Sequence, residues 1–125
     1  MPSATTNATI LVVEDEAMIR LTSIDMLEEA GFRTLEAANA DEALAILEDE
    51  PVALLFSDID MPGSMDGLTL ATKVHRRWPA TRLLLTSGRH RLAEHDIPDH
   101  GSFVAKPFGR HDLMREIHDQ LRQEA

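Results

Sequence analysis

The chain is 125 residues long, the size of one compact domain, with 43% hydrophobic and 27% charged residues and a net charge of −10. It has no cysteine, which excludes disulfide and thiolate chemistry, and no apolar run approaches the roughly 20 residues that span a bilayer. The acidic balance disfavours direct nucleic-acid binding, since the only basic clusters, Arg76-Arg77 and Arg89 to Arg91, are small; a cytoplasmic protein is the expectation.

Residues 1–8 are small and polar and read as a flexible tail, ahead of a single domain over residues 9–123. Ile10 to Val13 is a short apolar run rich in β-branched residues, which predicts a buried strand. It stops abruptly at Glu14-Asp15-Glu16. A helix fits residues 17–30, with Met18, Leu21, Ile24 and Leu27 at helical spacing and Gly31 as its terminator. A weaker strand follows over 32–37. Asn39 and Asp41 are placed to cap a helix that runs through Glu50, with Ala43, Leu44 and Leu47 facing inward and Pro51 at its end.

Val52 to Phe56 is the second strong apolar run, and it too leads into acids, Asp58 and Asp60. Pro62-Gly63-Ser64 is a loop, and residues 66–78 fit a helix stopped by Pro79. Residues 82–86 predict another strand, ending at Ser87-Gly88. The stretch 89–100 is polar and broken by Pro98, so any helix there is short and poorly defined. A last strand over 102–105 precedes a helix over 110–123, with Leu113, Ile117 and Leu121 on one face. This β-α alternation, repeated five times, predicts a doubly wound α/β domain: a parallel sheet with helices on both faces.

Ligands of open α/β sheets bind beyond the carboxyl ends of the strands, where the strand order reverses. Glu14-Asp15 and Asp58 end two separate apolar runs. On neighbouring strands these three carboxylates would converge and repel one another, and a hard divalent cation with oxygen ligands would relieve the repulsion. Solvated loop acids are the alternative reading. His90, His95 and His100 lack paired metal-ligand spacing and read as surface residues, as do His75, His111 and His118.

Four motifs in order carry a resemblance: Val12-Val13-Glu14-Asp15-Glu16, Asp58-Ile59-Asp60-Met61-Pro62 with Met65-Asp66-Gly67, Leu85-Thr86-Ser87, and Lys106-Pro107. Each lies at a strand end. Together they resemble the receiver domain of bacterial two-component response regulators, over residues 9–121. The resemblance implies a flavodoxin-like sheet of five parallel strands in the order 2-1-3-4-5. It implies that Asp58 is the phospho-acceptor in a magnesium-dependent step. Asp15 and Asp58 would ligate Mg²⁺ directly, the backbone carbonyl of Asp60 would join them, and Glu14 would act through water. Thr86 and Lys106 would contact the phosphoryl group, and Thr86 with Phe103 would form the switch. Lys106-Pro107 often holds a cis peptide in this family. The loop after Pro62 is one residue longer than the commoner family pattern, Phe103 lacks the hydroxyl of the tyrosine often found there, and residues 89–100 fall where the family has its fourth helix.

The implied donor is a sensor histidine kinase or a histidine phosphotransfer protein. With no output domain in the 125 residues, signalling would act through contacts with a downstream protein, and phosphorylation-linked dimerisation is a further expectation. The resemblance implies no enzyme activity beyond self-phosphorylation and self-dephosphorylation. Other readings are a phosphate sink, a receiver-like scaffold independent of phosphorylation, and a phosphohydrolase of the haloacid-dehalogenase type, whose opening motif Asp58-Ile59-Asp60 resembles.

Overall fold

The structure, a computed structural model, describes residues 8–122. The expected tail, apart from Ala8, and the expected final helical residue at 123 lie outside the described residues. Five strands alternate with helices: β1 Thr9–Val13, α1 Ala17–Glu29, β2 Arg33–Ala37, α2 Ala40–Asp49, β3 Leu54–Asp58, α3 Gly67–Arg77, β4 Arg82–Ser87, β5 Ser102–Ala105 and α4 Arg110–Arg122. The strands form one parallel sheet in the order β2-β1-β3-β4-β5. The expected doubly wound architecture is therefore observed.

Period-two alternation sorts the apolar side chains of the strands onto the two faces. Leu11, Val13, Leu55, Leu83 and Leu85 share one core with Ala43 and Leu47 of α2 and Leu70, Ala71 and Val74 of α3. Ile10, Val12, Leu54, Phe56 and Leu84 share the other with Ile24 and Leu27 of α1 and Leu113 and Ile117 of α4. Each fully buried leucine contributes roughly 2 kcal/mol of transfer free energy, so the central strands are fixed from both sides. Their carboxyl ends are fixed with them.

Two local expectations are corrected. β3 lies two residues later than the apolar run, because Ser57 and Asp58 continue the ladder opposite Leu85 and Thr86. The Ser57 hydroxyl donates to the Asp58 carbonyl at 2.9 Å, which satisfies a polar group inside the sheet. Asp58 is thus a strand residue, held by backbone pairing. On α1, Ile24 and Leu27 are buried, but Met18 is 76% exposed and Leu21 49% exposed. Helical spacing cannot tell an inward stripe from one that turns outward over the first turns.

Residues 89–100 contain no α-helix. Two 3-10 turns, Glu94–Asp96 and Pro98–His100, take its place. Asp99 and His100 have φ of 59° and 52°, a left-handed conformation that aspartate tolerates better than most residues. The segment is nevertheless anchored. Ile97 is buried, Arg82 donates to Asp99 at 2.9 Å, and the Gln120 amide donates to the His100 carbonyl at 2.9 Å and to the Ser102 hydroxyl at 2.8 Å.

Caps set the helices beneath the site. The Asn39 side chain accepts from the Glu42 amide and caps α2, and Asp66 accepts from the Thr69 amide and caps α3. In the lengthened loop, Gly63 has φ of 110° and the Ser64 hydroxyl is tied to Asp41 of α2 at 2.9 Å. At Gly67, a β-carbon would lie 2.1 Å from the Asp58 carbonyl oxygen. Only glycine lets α3 start this close to the strand that carries Asp58. Gly67→Ala is expected to destabilise the fold by about 3 kcal/mol, at the high end of overpacking costs. Urea denaturation measures this, and an unchanged midpoint would contradict the close approach.

Candidate functional site

The carboxyl ends of β1 and β3 are adjacent, with Val13 opposite Ser57. Glu14 and Asp15 leave β1 where Asp58 ends β3. Both are interior strands of the sheet, as their continuous apolar runs require. Carboxylate oxygens of Glu14, Asp15 and Asp58 lie within 4.8 Å of one another. Among the described residues this is the one group of three or more side chains able to share a metal ion. Glu14 and Asp58 are buried, 3% and 4% exposed, while Asp15 is open to solvent.

Lys106 follows β5 and reaches back across the sheet end. Its Nζ lies 2.8 Å from Glu14 Oε1 and 3.3 Å from Asp58 Oδ2. The peptide between Lys106 and Pro107 is cis. Desolvation pushes the Glu14 and Asp58 carboxyls above their ordinary values despite the opposing pull of Lys106. Burial acts to lower the Lys106 pKa, but the hydrogen bond to Glu14 and the charges of Asp58 and Glu14 outweigh it and hold the amine above its ordinary value. All three shifts express one fact: one ammonium serves two buried carboxylates.

Thr86 stands opposite Asp58 in the ladder. It is 3% exposed, and its hydroxyl has no hydrogen-bond partner. Buried polar groups are seldom left unpaired, so this hydroxyl is an open donor beside the acids. Phe103 lies opposite Leu85 in β5, one step before the Thr86 level, and is half-buried against the core that holds Leu83, Leu85 and Ile97. The Asp60 amide donates to Asp58 Oδ1 at 3.3 Å.

Three further residues bear on the site. Arg20 donates to the Glu14 carbonyl at 2.7 Å and to Glu36 at 2.8 Å, which fixes the turn that carries Glu14. The Ser87 hydroxyl donates to the Asp60 carboxylate at 2.5 Å, and His90 Nε2 lies 3.2 Å from its other oxygen. Spacing gives no hint of these roles. Arg20 reads as a helix-surface charge, and His90 as one surface histidine among several.

Chemically, the arrangement offers a hard cation three oxygen ligands at one edge, with an amine and a free hydroxyl beside a buried carboxylate. Hard divalent ions prefer such a set. Raised carboxyl pKa values also carry a stability cost. Above its folded pKa Asp58 is ionised in both folded and unfolded states, and the full cost of burying the charge is felt. Below its ordinary value near 3.8 it is protonated in both, and the cost vanishes. Asp58→Asn in metal-free buffer is expected to raise stability at pH 7, since the neutral side chain carries no buried charge. The gain should fade as pH falls toward 3.8. Denaturant melts across this range test it, and destabilisation at pH 7 would contradict it.

Comparison with known proteins agrees with this geometry. A family model described as "response regulator receiver domain" matches residues 10–118. The response regulator receiver protein CpdR of Brucella abortus is 33% identical over 115 residues, which cover 90% of this chain and 95% of CpdR. The sensor kinase CckA of the same organism is 32% identical over 123 residues, covering 94% of this chain but 13% of that kinase. The crystal structure of the response regulator TrrA of Thermotoga maritima, in complex with Mg²⁺-BeF, has a TM-score of 0.79 and 28% identity, and covers 91% of this chain and 99% of that one. The chain belongs to the response regulator receiver domains, the phospho-acceptor modules of two-component signalling.

Proposed function

We propose that Asp58 accepts the phosphoryl group, from a phosphohistidine of a sensor kinase or a phosphotransfer protein. In the step, an Asp58 carboxylate oxygen forms a bond to phosphorus as the histidine N–P bond breaks, and its electron pair returns to the imidazole nitrogen. The observation that carries this reading is the buried Asp58 carboxylate with Lys106 at 3.3 Å and the unpaired Thr86 hydroxyl across the ladder. A carboxylate approaching a phosphoryl group must overcome charge repulsion, and catalysis of such transfers is largely positioning plus electrostatic stabilisation.

Magnesium fits the donor set. Asp15 and Asp58 would hold it with the backbone carbonyl of Asp60, and Glu14 would act through water; the ion would supply positive charge against the phosphoryl oxygens. Lys106 exchanges partners in this scheme. It leaves Glu14 and keeps Asp58, following the phosphoryl oxygens. Thr86 gains the acceptor it lacks, and its movement leaves room for Phe103 to change packing. This is a population shift between two packings of one fold. No enzymatic turnover beyond gain and loss of this phosphoryl group is part of the proposal, nor is direct contact with nucleic acid or membrane, and the cytoplasm is the compartment it fits.

The donor must bring its histidine to Asp58 and so touch the surface around it. An apolar groove of about 520 Å³ opens there, lined by Met18, Ile19, Met26, Pro107 and Phe108 together with Lys106. The CckA relative is named a sensor kinase, which supports a histidine-kinase pathway as the context. A downstream protein, or a second copy of the phosphorylated chain, would read the switched state.

Beryllofluoride with magnesium mimics the acyl phosphate and is expected to shift amide resonances at Thr86 and Phe103 in the unsubstituted protein, with no shift in Asp58→Asn. Unmoved resonances in the unsubstituted protein would overturn the switch. Met18→Asp is expected to slow transfer from a phosphohistidine protein at least about tenfold, equivalent to roughly 1.4 kcal/mol, while phosphorylation by acetyl phosphate keeps its rate. Equal slowing with both donors would contradict docking at the groove.

A further inference from the structure

The turn from β1 into α1 carries Glu14 and Asp15, and it lacks the tie that opens the next two helices. Asn39 and Asp66 cap α2 and α3 with their side chains. Glu16 stands at the same position of α1 and makes no such bond, and the first turn of α1 holds no acid. The tie comes instead from inside the helix. Arg20 Nη1 donates to the Glu14 carbonyl at 2.7 Å, and Nε of the same guanidinium donates to Glu36 Oε1 at 2.8 Å. Glu36 lies in β2 opposite Val12. One planar group therefore joins the exit of β1, the first turn of α1 and an edge strand. The Arg20 side chain is 18% exposed, and its fork meets two acceptors on different elements, an arrangement that suits a rigid guanidinium.

Glu14 has other ties. Its amide donates to the Ala37 carbonyl at 3.1 Å, Oε2 accepts from the Glu16 amide at 3.1 Å, and Oε1 accepts from Lys106 at 2.8 Å. Asp15 is different. It is exposed, and among the described residues its carboxylate has no hydrogen bond or ion pair. The two peptides that flank it decide where its oxygens stand. The Glu16 amide, held by Glu14, belongs to the peptide after Asp15. The Glu14 carbonyl, held by Arg20, belongs to the peptide before it, and a peptide is a rigid plane. Magnesium tolerates little departure from octahedral geometry, and groups that orient a metal ligand commonly change affinity by roughly 10- to 100-fold when removed.

We propose that Arg20 is a positioning residue for the cation site: braced on Glu36, it sets the peptide from which Asp15 departs and so raises the affinity for magnesium. This rests on the reading of Glu14, Asp15 and Asp58 as that site. Position and charge pull in opposite directions here. A guanidinium near a cation repels it, so an Arg20 acting by charge alone would weaken magnesium binding, and its removal would strengthen it. An Arg20 acting through the peptide does the reverse.

The test is titration of the full, unphosphorylated chain with magnesium alone, by calorimetry and by the amide resonances of Asp15 and Asp58. Arg20→Ala is expected to weaken binding about tenfold, the low end of such losses. Unchanged or tighter binding overturns the proposal. Glu36 is 51% exposed, so its variants serve even where Arg20→Ala does not fold. Glu36→Gln keeps an acceptor for Nε and is expected to bind magnesium like the unsubstituted protein, while Glu36→Ala frees the guanidinium and is expected to bind it more weakly. Equal affinities in Glu36→Ala and the unsubstituted protein overturn the bracing, and equal losses in Glu36→Gln and Glu36→Ala assign the effect to charge and overturn it too. Arg110 pairs with Glu29 at the other end of α1. Arg110→Ala is expected to leave the affinity unchanged, and a loss matching that of Arg20→Ala would mean general loosening of α1 and overturn the proposal. In each of these cases the unsubstituted protein still binds magnesium and the reading of the site stands. No magnesium binding by the unsubstituted protein overturns both.

Discussion

Two buried carboxylates sharing one ammonium organise this domain's chemistry. Glu14 and Asp58 are drawn into the sheet end by the apolar strands behind them, and Lys106 is the only cation that contacts both among the described residues. With Asp15 at the rim the cluster keeps an excess of negative charge. Such a site is poorly satisfied as it stands, and the cost appears as raised carboxyl pKa values. What relieves it is a cation, and what a cation and Lys106 together make tolerable is a phosphoryl group. Stability is given up locally so that binding can recover it.

The fold divides its labour. Asp58 and Thr86 sit in the ladder of two interior strands, where backbone bonds and two packed cores hold them. Sites on such elements keep their geometry better than sites on loops. Residues 88–101 carry no comparable scaffold. They are tied down by a few side chains, among them Ser87 to Asp60, Arg82 to Asp99 and Gln120 to His100. The segment joins the strand ends through the Ser87 hydroxyl, which donates to Asp60 and accepts from the Arg89 and His90 amides. In the proposed function the rigid half receives the phosphoryl charge, and the half framed by side chains is the part with freedom to respond.

Much of this was legible in the residues. Continuous apolar runs at 10–13 and 52–56, each ending in acids, were enough to predict a parallel sheet with carboxylates gathered at one edge. Lys106 was not reachable that way, because it lies far along the chain and joins the acids only through topology; motif resemblance supplied it. Ser57 and Asp58 look like a strand terminus by polarity, yet they remain in the ladder because Ser57 satisfies itself on a neighbouring carbonyl. Met18 and Leu21 share spacing with Ile24 and Leu27 but face outward, since periodicity fixes a stripe and not what covers it. His90 was invisible. Its place beside Asp60 depends on a turn closed by a serine hydroxyl, and no spacing rule encodes that.

The most direct test of the account is to locate the phosphoryl group chemically. After incubation with acetyl phosphate and magnesium, borohydride reduction converts a phosphoaspartate to homoserine, and peptide mass spectrometry finds the converted position. The account predicts conversion at Asp58 alone, and none when magnesium is chelated. Conversion at Asp15 or Asp60, or at Asp58 without any divalent cation, would contradict it.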